Sequence, residues 1–396
     1  MRIKNKKAIK WISGGHFLID MYSGFLNPIL PFIAAHLGIS LAVASCIISI
    51  SQITSSITQP LFGFLADRFK KRFFLFWGII LAAIFLSSTT IAPNVYILAL
   101  CIIFGSMGVS FFHPQASGMT NYFCIDSNVT KKMSIYLTCG TFGFALGPII
   151  SSFIVDFISF KALPFMAFWG ILYAISLFIF VPKIKNKQTN ENLPKFYNVL
   201  FEIFTCKTTK LLVILSIIKA LIQVTFLVLM PFLWKNLNYS PSRIGIIVFL
   251  FLAIGSIGTM LSSNVEKILG TKKTMILSLI MPLPFTLLFV LTYLKCPIVS
   301  IISFLVLGFF IMLSTPINMT LAQKAMPKYK STIAGLVGGF SFGVIGLFLP
   351  LVGYLSEIIT IPYMLIILSI IPASLSFIVN LLPNQLLYNG LSRVRL

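Results

Sequence analysis

Twelve long apolar stretches, separated by short polar or basic breaks, constrain the fold of this chain more than any single motif does. A membrane-spanning helix needs roughly 20 mainly apolar residues. The stretches that meet this requirement are 11–35, 41–66, 73–92, 95–123, 133–155, 162–181, 210–234, 243–264, 274–293, 296–323, 331–356 and 361–382. With 58% hydrophobic and only 10% charged residues, a soluble globular domain is excluded. We therefore predict an all-α membrane protein with twelve transmembrane helices.

The distribution of basic residues orients these helices. With the amino terminus inside, the cytoplasmic segments contain twenty-five of the thirty basic residues, the outer loops contain four, and Lys219 lies within a stretch. Positive charge is retained on the cytoplasmic side, so both termini are expected there, with an uncleaved first span. The net charge of +22 is spread over loops and tails rather than one face, so no nucleic-acid partner is expected.

Sequence landmarks of the first half recur in the second half. The pairs are Leu30-Pro31 with Met230-Pro231, Asp67-Arg68 with Glu266-Lys267, His113-Pro114 with Thr315-Pro316, and Gly147-Pro148 with Leu349-Pro350. Their offsets lie between 199 and 202 residues. This order predicts two pseudo-symmetric six-helix halves, 1–182 and 210–396, joined by a cytoplasmic linker at 183–209. Parallel repeats of this kind place a substrate site near the bilayer midplane, between the halves.

A polar face runs along the first predicted helix. His16, Asp20, Gly24 and Asn27 are spaced so that all four lie on one side. An ionised Asp at the centre of a spanning helix costs roughly 2.5 to 3.5 kcal/mol, so it normally faces a cavity or a partner. We predict that His16 and Asp20 form a proton-coupling site. The alternative is a static hydrogen bond that fixes the helix.

Two further helices carry polar stripes at helical spacing. The residues are Ser45, Ser49, Gln52, Ser56 and Gln59 in the second, and Ser106, Ser110, His113, Ser117 and Thr120 in the fourth. Such stripes suit the wall of a hydrated passage, although interhelical hydrogen bonding explains a single serine equally well. Pro114, next to His113, removes one backbone hydrogen bond and frees a carbonyl near Ser110, so either a bend or a local binding pocket is expected there.

The seventh predicted helix contains an intramembrane lysine. Lys219 and Gln223 lie one turn apart. A lone lysine in a span is costly enough to indicate function, with an anionic substrate group or Asp20 as its partner, unless the side chain snorkels to the interface. The predicted substrate-binding residues are Asn27, Gln52, Gln59, His113, Gln115, Lys219 and Gln223.

Glycines and loop charges complete the predicted machinery. The loop between the second and third helices, with Gly63, Asp67, Arg68 and Arg72, is expected to act as a gate. Gly143, Gly147 and Pro148 are expected to allow close packing and a bend of the fifth helix. The six cysteines are widely spaced, without a CxxC pair, so neither a metal site nor a cofactor is expected.

Several of these motifs resemble those of known transporters. The run from Gly63 to Arg72 resembles the GxLaDrxGrr loop of the major facilitator superfamily, with Lys70 where a second glycine is usual. The run from Gly143 to Ser152 resembles the fifth-helix GxxxGPxxGG signature of proton-coupled drug antiporters, with serines at its last two positions. Gly15-His16-Phe17 with Asp20, and Phe112 to Ser117, are similar to the fosmidomycin resistance family. The resemblance implies the twelve-helix major facilitator fold.

These observations predict a secondary transporter rather than an enzyme, because the sequence contains neither a P-loop nor a nucleophile with a base at readable spacing. We expect proton-coupled efflux of a small organic compound or drug by alternating access, from a monomer in the bacterial cytoplasmic (inner) membrane. Its expected partners are the substrate, protons and the lipid bilayer. An uptake carrier or uniporter of the same fold is the alternative. A non-transporting membrane sensor is a more distant one, since no sizeable soluble domain is predicted.

Overall fold

The structure, a computed structural model, describes residues 6–59, 61–62, 72–123, 129–182, 196–326, 333 and 335–383. These residues are almost entirely helical and contain no strand. Eleven of their helices are long and apolar enough to cross a membrane, and Leu41–Ile57 forms a shorter apolar helix. Large apolar side chains such as Phe165 and Ile298 are exposed on the spans, as expected for surfaces that face lipid. The predicted twelve-helix architecture is confirmed.

In the described part of the first half, seven α-helices have defined bounds: α1 Lys6–Ser23, α2 Leu26–Leu37, α3 Leu41–Gln52, α4 Phe73–Ser87, α5 Val95–Phe123, α6 Val129–Phe157 and α7 Met166–Phe180. A π-helical segment, Ile53–Ile57, continues α3. Short 3-10 helices occupy Ser88–Ile91 and Phe160–Phe165. The 3-10 helix Phe160–Phe165 and α7 together form the sixth span.

Among the residues of the second half that the structure describes, nine α-helices have defined bounds: α8 Phe196–Thr205, α9 Lys207–Asn236, α10 Pro241–Leu269, α11 Thr271–Ile280, α12 Pro282–Thr292, α13 Pro297–Leu313, α14 Thr315–Ala325, α15 Ser341–Ile359 and α16 Ile361–Leu375. A π-helical segment, Gly335–Phe340, precedes α15. A 3-10 helix, Ser376–Leu381, follows α16.

Several predicted spans are interrupted helices rather than continuous ones. The first breaks at Gly24 and Phe25, the ninth at Met281 and the tenth at Ser314. In the last two, a proline stands in the first turn of the helix that restarts, Pro282 and Pro316. Proline lacks the N–H that would bond back into the preceding turn, so it suits a helix start.

The described residues divide into two compact units. One lies within Met1–Asn192 and Met230–Phe249, and the other within Leu193–Leu229 and Leu250–Leu396. The end of α9 and the start of α10 therefore belong to the first unit, whereas the start of α9 belongs to the second. The predicted boundary at 183–209 stays a prediction, because residues 183–195 of that linker lie outside the described residues.

Glycines bring α6 into backbone contact with α1. A Cβ added at Gly143 would lie 2.0 Å from the carbonyl oxygen of Phe17, and one added at Gly147 would lie 2.4 Å from that of Met21. No side chain fits at either position, since real Cβ atoms do not approach so closely. This close packing holds the middle of α1 against α6 and α5, where the polar residues of α1 are found.

Candidate functional site

Three titratable side chains meet where α1 crosses α5. Asp20 Oδ2 lies 3.2 Å from His16 Nε2, and Asp20 Oδ1 lies 3.1 Å from His113 Nε2. His16 is 5% exposed. The sequence predicted His16 and Asp20 as one site and assigned His113 to the substrate passage. The structure instead brings His113 onto the same carboxylate, and we call these three residues the proton site.

A backbone carbonyl fixes the protonation of the His16 ring. His16 Nδ1 lies 2.8 Å from the carbonyl oxygen of Tyr136, and the two rings stack with centroids 4.1 Å apart. A carbonyl oxygen can only accept a hydrogen bond, so Nδ1 must carry the hydrogen. His16 Nε2 is then protonated only when the ring is an imidazolium.

The contact between His16 and Asp20 therefore requires one proton. That proton resides either on His16 Nε2, which gives an ion pair, or on Asp20 Oδ2, which gives a neutral pair. Without it, a nitrogen lone pair faces a carboxylate oxygen and the contact becomes repulsive. The contact with His113 needs no extra proton, because a neutral imidazole donates through Nε2. Uptake of a single proton thus forms the contact between His16 and Asp20, on neighbouring turns of α1, and loss of that proton breaks it.

Gly140 of α6 forms the wall of this site. A Cβ at Gly140 would lie 2.4 Å from His16 Cε1 and 2.5 Å from both His16 Nε2 and Asp20 Oδ2. The missing side chain leaves the volume that the two polar groups occupy. Neither Gly140 nor the Tyr136 carbonyl was predicted as part of the site.

The proton site is also the one cluster in the described ranges whose ligand atoms could hold a metal ion, since they all lie within 4.8 Å of one another. Separations of 3.1 and 3.2 Å between nitrogen and oxygen are those of hydrogen bonds. The tautomer of His16 and the carboxylate account for these distances without an ion. Hydrogen bonds thus account for the geometry of the cluster.

The predicted glutamines of the first unit contact backbone. Gln115 is 5% exposed, and its Oε1 accepts the N–H of Leu75 in the first turn of α4 at 2.7 Å. Gln59 Nε2 donates to the carbonyl oxygen of Ser55, also at 2.7 Å. Gln52 ends α3 and is half-buried. The contacts of Gln115 and Gln59 are those of residues that hold helix ends and turns.

Asn27 does not share a continuous helix with His16 and Asp20. Helix α1 ends at Ser23, and Asn27 is the second residue of α2, where it is half-buried. Gly24, at the break, faces α6, because an added Cβ would lie 2.7 Å from the Phe144 carbonyl oxygen. Asn27 therefore lies in a separate helix, and its place on the predicted polar face stays a prediction.

Two serines of the predicted stripe in the fourth span bond to the second span. Ser106 Oγ lies 3.0 Å from Ser51 Oγ, and Ser110 Oγ lies 2.6 Å from Thr58 Oγ1; Ser51 and Thr58 are not members of the predicted stripe of the second span. These are interhelical hydrogen bonds, the alternative that the sequence left open for individual serines. They tie α5, which carries His113, to the helix beside it.

Most of the predicted gating loop lies outside the described residues. Gly63, Asp67 and Arg68 are among these. Arg72 donates from Nη1 to the carbonyl oxygen of Val181 and stacks over Phe178, with its guanidinium carbon 4.5 Å from the ring centroid. Burial lowers the pKa of Arg72. Arg72 thus fixes the start of α4 to the end of α7.

The second unit contains a buried lysine among hydroxyl groups. Lys219 Nζ donates to Ser314 Oγ at 3.0 Å and to Thr315 Oγ1 at 2.9 Å, and Ser314 Oγ donates to Ser278 Oγ at 2.9 Å. Lys219 is 9% exposed and lies in the middle of α9. It does not snorkel. Gln223, one turn further, is half-buried.

Known proteins resemble this chain along most of its length. The family model described as Major Facilitator Superfamily matches residues 12–350. The fosmidomycin resistance protein of Escherichia coli (strain K12) is 23% identical over 357 residues, 87% of this chain and 85% of that protein. The quinolone resistance protein NorA of Staphylococcus aureus (strain MSSA476) is 24% identical over 233 residues, 59% of this chain and 60% of NorA. A crystal structure of the nucleoside transporter NupG matches with a TM-score of 0.76 at 16% identity, over 95% of this chain and 99% of that one; at this identity the likeness shows the fold alone.

Proposed function

This chain belongs to the Major Facilitator Superfamily, and from that premise we propose that it is a proton-driven exporter of a small organic compound. The observation that carries the proposal is the proton site, a carboxylate held between two imidazoles inside a spanning helix. The family is one of transporters, so no enzymatic activity is proposed. Residence in a bacterial cytoplasmic membrane, with both termini inside, is part of the proposal.

The proton site supplies the coupling step. When the proton is bound, His16 and Asp20 are hydrogen-bonded to each other across one turn of α1. When the proton leaves, the two acceptor atoms repel each other and Asp20 keeps only the hydrogen bond from His113. Protonation then shifts the equilibrium between two arrangements of α1. A coupled transporter needs an ion site that produces such a shift.

The direction of transport is inferred from the relatives. A fosmidomycin resistance protein and a quinolone resistance protein are both named for resistance to a drug. Export of the drug from the cell is the transport event that confers resistance. A proton gradient directed inward drives export when a proton enters as the compound leaves.

The test replaces Asp20 with Asn. In Asp20→Asn the amide nitrogen donates to His16 Nε2 and the amide oxygen accepts from His113, so the variant reproduces the protonated state and is expected to fold. Proteoliposomes with an imposed pH gradient and labelled fosmidomycin or a labelled quinolone should lose gradient-driven transport but keep exchange of labelled for unlabelled compound. Asp156→Asn is the matched control, since Asp156 is exposed and, within the described part of the chain, accepts the N–H of Ser242 at 3.2 Å.

The outcomes separate export from the alternatives. Gradient-driven transport at the wild-type rate in Asp20→Asn would remove Asp20 from coupling. Transport by the wild-type chain that ignores the pH gradient would instead indicate a uniporter. An absolute requirement for ATP would contradict secondary transport.

A further inference from the structure

The buried ammonium of Lys219 has no negative partner among the described residues. Its hydrogen-bond partners are the hydroxyls of Ser314 and Thr315, and no ion pair forms with it in the described ranges. An ammonium group has three hydrogen-bond donors, and two are used here. A buried charge is normally paired, because removing it from water is costly.

The repeat places Lys219 close to the position that corresponds to Asp20. At the landmark offset of 202 residues His113 corresponds to Thr315, and at the offset of 200 residues given by Leu30-Pro31 Asp20 corresponds to Ala220, one residue after Lys219. Asp20 contacts His113 in the first unit, and Lys219 contacts Thr315 in the second. A buried charge thus lies near the equivalent place in each unit, with imidazoles beside the first and hydroxyls beside the second.

The two hydroxyl residues around Lys219 differ in exposure. Ser314 is 1% exposed and donates to Ser278, whereas Thr315 is exposed. Gln223, one turn along α9, is half-buried. A ligand that approaches over Thr315 would thus meet one cation and neutral hydrogen-bonding groups.

We infer that Lys219, with Ser314 and Thr315, forms a subsite for an anionic group of the transported compound, such as a phosphonate or a carboxylate. The anion neutralises the ammonium and accepts its remaining hydrogen, while the two hydroxyls orient the ammonium. This inference deepens the proposed function, because it assigns the chemical class of the substrate. It concerns binding alone and needs no gradient.

Binding to the purified full chain in detergent tests the subsite at fixed pH and ionic strength. Phenylphosphonate and benzoate serve as anionic ligands, and benzamide as the uncharged one, in isothermal calorimetry. Charge-assisted hydrogen bonds correspond to about a 10- to 100-fold preference for the anions. Lys219→Met should abolish this preference, and Lys219→Arg should keep most of it.

Two controls guard against a purely structural effect. Lys324→Gln removes an exposed lysine at the end of α14 and should leave binding unchanged. Lys219→Met should melt no lower than the wild type, because an apolar side chain of similar length can replace a buried charge without loss of stability. Equal binding of benzamide and the anions by the wild type, or an anion preference that persists in Lys219→Met, would overturn the inference.

The failure of this inference is distinguishable from that of proton-driven export. Anion binding lost in Lys219→Met supports the subsite even where Asp20→Asn turns out to be fully coupled. Conversely, a loss of coupling in Asp20→Asn without any anion preference overturns the subsite and leaves the export proposal in place.

Discussion

A single methyl group placed at Gly140 should disable the proton site while leaving all of its titratable groups intact. In Gly140→Ala the new carbon would lie 2.4 Å from His16 Cε1 and 2.5 Å from Asp20 Oδ2. Helix α6 cannot retreat, because Gly143 and Gly147 hold its backbone against α1. The strain must therefore be relieved within the proton site.

The displacement can be worked out from these distances. Carbon atoms pack at roughly 3.5 to 4.0 Å, so the methyl group must push His16 or Asp20 away by about 1 Å. His16 is held by the Tyr136 carbonyl, and Asp20 moves more easily towards His113. The present separation of 3.2 Å then becomes roughly 4 Å, which is too long for a hydrogen bond. A hydrogen bond to a charged group contributes about 1.5 to 3 kcal/mol, so the joined state should be populated about 10- to 100-fold less.

Two measurements follow this change. Infrared difference spectroscopy detects the protonated carboxyl of Asp20, assigned by its absence in Asp20→Asn, and its pH titration should shift in Gly140→Ala. Gradient-driven transport in proteoliposomes should fall by at least about tenfold. The matched control is Gly335→Ala, where an added Cβ meets no atom within 4 Å.

One result would refute the reasoning. If Gly140→Ala melts like the wild type, titrates like it and transports at its rate under a pH gradient, then the contact between His16 and Asp20 plays no part in coupling. A variant that fails to fold is distinguished by its melting curve, and the smaller displacement can then be tested by Tyr136→Phe, which alters the ring stacked on His16 but not its backbone acceptor.

Three further predictions rest on separate features. His113→Gln should keep most gradient-driven transport, because an amide can still donate to Asp20, whereas His113→Leu should lose it; equal rates in the two variants would contradict a donor role. Thr360→Gly should stabilise the protein in thermal unfolding by about 1 kcal/mol, since Thr360 has φ 70° and ψ 151°, a conformation suited to glycine. Gly270→Ala should destabilise the protein by a similar amount, because Gly270 has φ 83°, while an added Cβ there would meet no described atom. Changes of the opposite sign would contradict this backbone argument. Removal of metal ions with EDTA should leave proton-driven transport unchanged, and a stoichiometric metal found by mass spectrometry would show that the proton site holds an ion instead.

The number and order of the spans could be predicted because each is a local property of roughly 20 consecutive apolar residues. The interruptions could not, because hydropathy does not register a single broken turn. Pro282 and Pro316 were nevertheless a signal, since the residue before a proline is disfavoured in a helix. At Pro114 the same signal misleads, because α5 continues through it.

The site was predictable only as far as one helix extends. His16 and Asp20 are four residues apart, so their contact follows from helix geometry. The contact of Asp20 with His113 depends on the packing of α1 against α5, and no local pattern indicates it. The Tyr136 carbonyl is a backbone group and leaves no signal in the sequence at all.

The two buried charges, Asp20 and Lys219, argue for a division of labour between the units. In the first, the carboxylate of Asp20 is met by imidazoles, whose charge changes with pH, so its balance is set by protons. In the second, the ammonium of Lys219 is met by hydroxyls, which do not titrate, so within the described residues only a ligand can balance it. The two effects should therefore be separable by mutation. Asp20→Asn should alter the dependence of transport on the pH gradient without changing the preference for anionic ligands, and Lys219→Met should do the reverse. A variant at either position that changed both properties equally would show that one site serves both proton and substrate.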